Sequence, residues 1–219
     1  MLDLKEKSLT VVIRGSFNPS IFHPQWFASM DIIGKKEAET AQIEVVHRDI
    51  ALFQMEWLRL EVTQDRFVAS TTLDNYYLPL RDLVSSTFYH LRFTPLTVMG
   101  INTQCHFMMD NEDAWHGFGN RIAPKDLWEP ILSSPGTQNL TIQGERDDGF
   151  SGHIQVTVQP SNRYCPGLFF STNDHFILVP EEGKEIEAPD TLQEVVGDEN
   201  FGRAMARYTA ILEHLEENT

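Results

Sequence analysis

His106, His116, His153 and His175 are the side chains in this sequence best suited to move protons near neutral pH, so each is a candidate general base. General-base work also needs an orienting partner and a reacting group within hydrogen-bond reach. His116 stands near Asp110, Glu112 and Asp113, inside Trp115-His116-Gly117-Phe118-Gly119. No nucleophile in a recognisable setting lies close to it, and the two glycines lack the third glycine and the strand-to-helix context that dinucleotide binding requires. The segment is therefore expected to be a loop with a solvated imidazole. His47-Arg48-Asp49 matches the start of a protein-kinase catalytic loop, but the position five residues after the Asp is Gln54. No glycine-rich loop, Asp-Phe-Gly or strand lysine accompanies it, so a hairpin turn is expected. Cys105, His106, Cys165 and His175 have metal-ligand chemistry, yet adjacent residues of a strand point to opposite faces, and no close Cys or His spacing is present. The sequence predicts no catalytic constellation, no metal and no cofactor.

A different pattern carries more information. In Leu96-Thr97-Val98-Met99-Gly100-Ile101-Asn102-Thr103-Gln104-Cys105-His106-Phe107, alternation places Met99, Ile101, Cys105 and Phe107 on one face and Asn102, Gln104 and His106 on the other. Two later strands repeat this. Leu140, Ile142, Ile154, Val156 and Val158 face one way, and Asn139, Thr141, Gln143, His153, Gln155, Thr157 and Gln159 the other. Solvated sheet faces usually carry Lys, Glu and Thr. This face is instead rich in neutral donors and acceptors, which suit hydrogen bonding better than solubility. Asn102, Gln104, His106, Gln143, His153, Gln155 and Thr157 are thus the candidate binding face, with His116, Asp174 and His175 as secondary candidates.

The elements that must position these residues follow from periodicity. Residues 8–17 form a first strand, a short helix follows Pro24, and a polar turn is expected at Gly34-Lys35-Lys36. Three antiparallel strands come next, in Gln42–Arg48, Phe53–Val62 and Arg66–Thr71. A helix N-capped by Asp74 or Asn75 carries a stripe of Tyr76, Leu80, Leu83, Val84, Phe88 and Leu91. After the mid-chain strand, a connection with a short helix starting at Pro124 leads to the Asp148-Gly149 hairpin and a last strand around Gly167–Val179. Thr191 and Glu194 match a capping box for a closing helix interrupted near Gly197. The expected fold is α+β, an antiparallel sheet of two similar strand-meander-plus-helix halves with the long helices on one face. The halves are residues 1–110 and 137–219, joined by 111–136.

The chain carries 32 acidic against 17 basic residues, a net charge of −15, which repels nucleic acid and anionic membrane surfaces. A protein partner, particularly one with a basic surface, is the class that this charge leaves open. No apolar run reaches the length of a signal peptide or a membrane span, so a cytoplasmic location is expected. Two cysteines are too few for a disulfide framework.

Leu58-Arg59-Leu60-Glu61-Val62-Thr63-Gln64-Asp65-Arg66-Phe67-Val68-Ala69-Ser70 before a long helix, Thr94-Pro95-Leu96-Thr97 leading into the mid-chain strand, and Asp174-His175 in a late strand together resemble a sporadically distributed bacterial family of uncharacterised proteins of similar size. The resemblance covers most of the chain at the level of plan. The family's mid-chain strand has a glycine followed by an Arg-Tyr-Asn type run, of which Gly100-Ile101-Asn102 keeps part. The family implies no activity. Its patchy distribution resembles that of genes in mobile or antiviral islands, which implies a role beside a phage-defence or toxin–antitoxin system. A non-catalytic binding or assembly protein is the expectation, and an enzyme with a His general base is the alternative.

Overall fold

The computed structural model of the chain describes residues 2–179 and 188–217. Its centre is a pair of antiparallel 14-residue strands, β1 (Leu2–Gly15) and β6 (Leu96–Met109). On the β1 side follow β5 (Arg66–Thr71), β4 (Arg59–Thr63), β3 (Ile50–Gln54) and β2 (Gln42–Val46). On the β6 side come β9 (Gly167–Ile177), β8 (Gly152–Pro160) and β7 (Leu140–Glu145), so the nine strands of the described residues share one antiparallel sheet. With six α-helices among the described residues, the fold is α+β. The helices are α1 (Pro24–Ser29), α2 (Lys35–Thr40), α3 (Tyr77–His90), α4 (Glu112–Ile122), α5 (Ala188–Val195) and α6 (Asp198–Glu217).

Strand alternation decides which side chains are buried. Leu9, Val11 and Ile13 of β1, Phe53, Leu60 and Phe67 of the meander, and Met99 and Ile101 of β6 form one cluster with Leu80, Leu83, Val84 and Phe88 of α3. Leu192, Val195, Phe201 and Ala204 of α5 and α6 complete it. Phe67 lies at its middle, with its ring centroid 5.1 Å from Phe88 and 5.7 Å from Phe22. Full burial of such a ring contributes about 2–3 kcal/mol. A second cluster joins Cys105 and Phe107 of β6, Val158, Leu168 and Phe170 to Phe118 of α4 and Tyr208 of α6.

The structure corrects the sequence reading in six places. The run from Phe53 to Val62 is two strands, because Met55–Leu58 turns back on itself, the Met55 N–H donating to the Leu58 carbonyl at 2.8 Å. Met55, Trp57 and Leu58 are buried in this turn, and Trp57 Nε1 donates to Glu37 Oε1 at 2.8 Å. Residues 35–40 form α2 rather than a polar turn, with Glu37 Oε2 accepting from the Gly34 N–H at 2.7 Å. Asp74 and Asn75 lie in a 3₁₀ turn before α3, whose N-cap position is Tyr76.

Trp115–Gly119 is helical, not a loop. Asn111 caps α4 by accepting from the Ala114 N–H at 2.8 Å, Glu112 and Asp113 sit at the positive end of the helix dipole, and Phe118 is buried. Residues 125–132 after Pro124 form successive turns instead of the expected helix. Finally, α5 begins at Ala188, so Thr191 lies inside it and does not cap it. Gly197 does separate α5 from α6. The acidic tract from Glu181 to Glu187 lies outside the described residues.

Candidate functional site

Opposed residues of antiparallel strands share a face, so register alone builds rows across the sheet. One row runs Thr10, Asn102, Asn173, Gln155, Gln143 through β1, β6, β9, β8 and β7. Four strand spacings make it about 19 Å long. The adjacent row is Ser8, Gln104, Ser171, Thr157, Thr141. Beyond it stand Glu6, His106, Phe169 and Gln159, and on the other flank Gly100, His175, His153 and Glu145. The two central rows hold ten side chains of amide or hydroxyl chemistry and no charge.

The residues named from sequence therefore divide. Asn102, Gln104, His106, Gln143, His153, Gln155 and Thr157 come together on this face, and His175 joins them, its ring stacked on His153 with centroids 4.5 Å apart and planes at 22°. Burial, the neighbouring His153 and Arg146 hold the His175 imidazole below its ordinary pKa, so it favours the neutral form. Above Gly100 two side-chain amides fill the space that a side chain would take. A Cβ built there would lie 2.9 Å from Asn173 Oδ1 and 3.2 Å from Asn102 Nδ2, so both amides lean over the glycine. Asn102 Nδ2 donates to the Thr10 carbonyl at 3.3 Å, while Asn173 Oδ1 is buried without a hydrogen-bond partner.

Asp174 and His116 lie elsewhere. Asp174 is one residue out of step with Asn173 and His175 and so faces the core side, beneath α6. It pairs with Arg207, and with Arg146 at 3.3 Å; Arg146 pairs with Asp148, which also meets Arg207 at 3.4 Å. The Arg146 guanidinium lies 3.7 Å from the centroid of Phe176. Burial raises the Asp174 carboxyl against the pull of Arg207 and Arg146. At Asp148 the Arg146 hydrogen bond and charge outweigh burial and hold the carboxyl below its usual range. These four charges tie the β7–β8 turn and α6 to the sheet. His116 is exposed on α4, next to a cavity of about 100 Å³ lined by Phe118, Lys125, Thr137 and Leu168. Lys125 Nζ donates to the Gly119 carbonyl at 3.2 Å and to Ala123 O and Thr137 Oγ1, a cap on the negative end of α4.

At the Glu6 end, the loop after β8 folds back over the face. Ser161 Oγ lies 2.8 Å from His106 Nδ1 and accepts from the Arg163 and Tyr164 N–H groups, each at 3.1 Å. A hydroxyl that already accepts twice has its own proton left to give, so it donates to Nδ1 and the His106 proton resides on Nε2. Tyr164 Oη donates to Glu6 Oε1 at 2.7 Å and Arg163 pairs with Glu6. The Tyr164 hydrogen bond, with the Arg163 charge, lowers the Glu6 carboxyl below its ordinary pKa. Burial first, then Arg163, lowers that of the His106 imidazole. Glu6, Ser8, Gln104, His106 and Arg163 line a cavity of about 100 Å³.

Ser, His and Glu side by side look like an acyl-transfer triad, but the bonds differ. Glu6 holds Tyr164 and Arg163, and the two amides aim at Oγ rather than at a position for an oxyanion. The group anchors the loop. Cys105 is no nucleophile either, since burial pushes its thiol up to about 11 and Sγ lies 2.7 Å from Tyr208 Oη. Among the described residues no three His, Cys, Asp or Glu gather as a metal site, and no helix is long and apolar enough to cross a membrane.

Sequence reasoning did not select Thr10, Ser8, Ser171 or Asn173, although the alternation of Gly167–Ile177 contains the signal for the last two. Glu6 reaches this face through a register shift between Leu4 and Glu6, and Ser161, Arg163 and Tyr164 arrive from a loop; neither leaves a periodic signal. No protein-family model matches the chain, and no curated protein matches it.

Proposed function

We propose that the chain is a non-catalytic binding protein that holds a protein partner against the neutral polar face of β1, β6, β9, β8 and β7. The observation that carries this reading is the pair of charge-free rows through Asn102 and Gln104, extending across five strands. Neutral amides and hydroxyls make directional hydrogen bonds without the desolvation cost of ions. The net charge of −15 favours a partner with a basic surface. The family resemblance adds context, an accessory or neutralising subunit of a bacterial phage-defence or toxin–antitoxin pair, which the neighbouring genes would test.

The direct test is co-purification of tagged wild-type chain and of a Gln104→Ala, Gln155→Ala, Asn173→Ala triple variant. Three lost hydrogen bonds at about 1 kcal/mol each predict binding weaker by roughly 100-fold. Unchanged partner recovery by a folded triple variant would remove the face from consideration. A His general base rests on His106 beside Glu6, but in the tautomer described Nε2 carries a proton and Nδ1 is occupied, so the ring has a hydrogen-bond donor and no free basic nitrogen.

A further inference from the structure

The sheet has two edges, and they are built differently. β2 has a register shift between Ile43 and Val45, and its Glu44 pairs with Arg59 at 3.0 Å. A bulge and an edge charge both spoil a strand as a template for further pairing. β7 has neither over its first five residues. Leu140-Thr141-Ile142-Gln143-Gly144 pairs with β8 in unbroken register, carries no charge and no proline, and has no strand on its outer side among the described residues. Ile142, at its middle, is 58% exposed. A groove of about 490 Å³ runs from Trp128 and Leu132 past Gly136 to Asn139, the residue before β7. Trp128 and Leu132 are exposed there, as are Leu127 and Ile131 in the same turns. An unguarded edge continuous with an apolar patch marks a surface meant to be covered.

We infer that a second copy of this chain covers it, by antiparallel β7–β7 pairing across a two-fold axis at Ile142. The edge of β7 is self-complementary. A two-fold axis perpendicular to the sheet keeps each face on its own side, and centred at Ile142 it places Ile142 opposite Ile142, Thr141 opposite Gln143 and Leu140 opposite Gly144. Apolar meets apolar on the core side, and hydroxyl meets amide on the polar side. Glu145 falls opposite Asn139 rather than another acid. Elsewhere two copies at −15 repel, whereas these five residues bring no like charges together. Six paired residues alone do not reach the roughly 800 Å² per partner of a stable interface. The exposed Trp128 and Leu132, in the groove that reaches the residue before the strand, supply further apolar area. The pairing stands independently of what the polar face binds.

The full chain, followed by analytical ultracentrifugation from about 1 to 100 µM, should approach twice 25.1 kDa at the upper end and fall toward 25.1 kDa on dilution. Ile142→Lys and Ile142→Glu alter an exposed side chain, and circular dichroism will show each folded like the wild type. Each alone should remain at 25.1 kDa at every concentration. An equimolar mixture of the two should restore the dimer, because opposite charges then meet across the axis. A wild-type monomer throughout the range, a dimer that persists in Ile142→Lys, or a mixture that stays monomeric would each overturn the proposal.

Discussion

Removing the Asp174 carboxylate tests whether the buried charges under α6 act as one balanced unit. Asp174 and Arg146 are 1% and 2% exposed at the side chain, Asp148 is 5% and Arg207 19%, so two positive and two negative charges share a nearly dry site. Asp174→Asn keeps the shape and leaves two guanidiniums facing one carboxylate. Breaking a buried pair from one side costs about 3–5 kcal/mol, because the surviving charge stays desolvated. For a chain of this length that corresponds to a fall in Tm of about 6–20 °C. Adding Arg207→Gln returns the site to one Arg and one Asp, already paired as Arg146–Asp148. The double variant should therefore lose less than the sum of the single losses, with a coupling energy of about 1–3 kcal/mol. Urea unfolding of the four proteins in the cycle measures this. A single-variant loss below about 1 kcal/mol, or strictly additive losses, would show that the charges are solvated independently and refute the reasoning.

His106 predicts a pH dependence of opposite sense to the common salt-bridged histidine. Its folded-state pKa is depressed, so its contribution is present above the unfolded value, near 6.5, and is lost as pH falls through the lower folded value. Urea midpoints should therefore drop between about pH 7.5 and pH 5, and the drop should shrink in His106→Gln, which keeps an acceptor for Ser161 without titrating; an equal drop in both proteins would assign the effect to other groups. Gly100→Ala probes the polar face without touching the core. The added Cβ meets the ends of two flexible amides, so unfolding stability should change by less than about 1 kcal/mol while partner binding weakens. A large stability loss in thermal melts would mean that the Asn102–Asn173 arrangement is rigid architecture rather than an adaptable surface.

Alternation in Leu96–Met109 identified both faces of β6 because a period of two survives any tertiary context that buries one side. The same logic applied to Gly167–Ile177 would have separated Asn173 and His175 from Asp174. Pairing Asp174 with His175 as neighbours in sequence obscured the fact that they face opposite sides of the sheet. The turn at Met55–Leu58 was illegible because three of its four residues, Met55, Trp57 and Leu58, are apolar and buried, and it includes no glycine or proline. At Trp115–Gly119 the error ran the other way. Two glycines suggested a loop, yet Asn111, Glu112 and Asp113 supply a helix start, and burial of Phe118 against Phe107, Val158 and Leu168 outweighs the glycine propensity of about 1 kcal/mol each. The Ser161–His106 contact spans 55 positions and follows no period, so only the folded chain reveals it.

The polar face and the open edge also constrain each other. In the register inferred for β7, Thr141 of one copy faces Gln143 of the next, so the row through Asn102 on one copy runs into the row through Gln104 on the other. Neither row meets a charge at the seam. Ten strands in sequence would extend the neutral surface to about 43 Å. Such a surface has two-fold symmetry, and a single asymmetric partner segment would engage only one half of it. Binding through the central rows then implies two partner molecules per dimer, or one partner that is itself two-fold symmetric. A complex of one partner with two chains, seated on one half alone, would require the halves to differ. Nothing in the register makes them differ, because every residue of each row recurs on the other side of the axis.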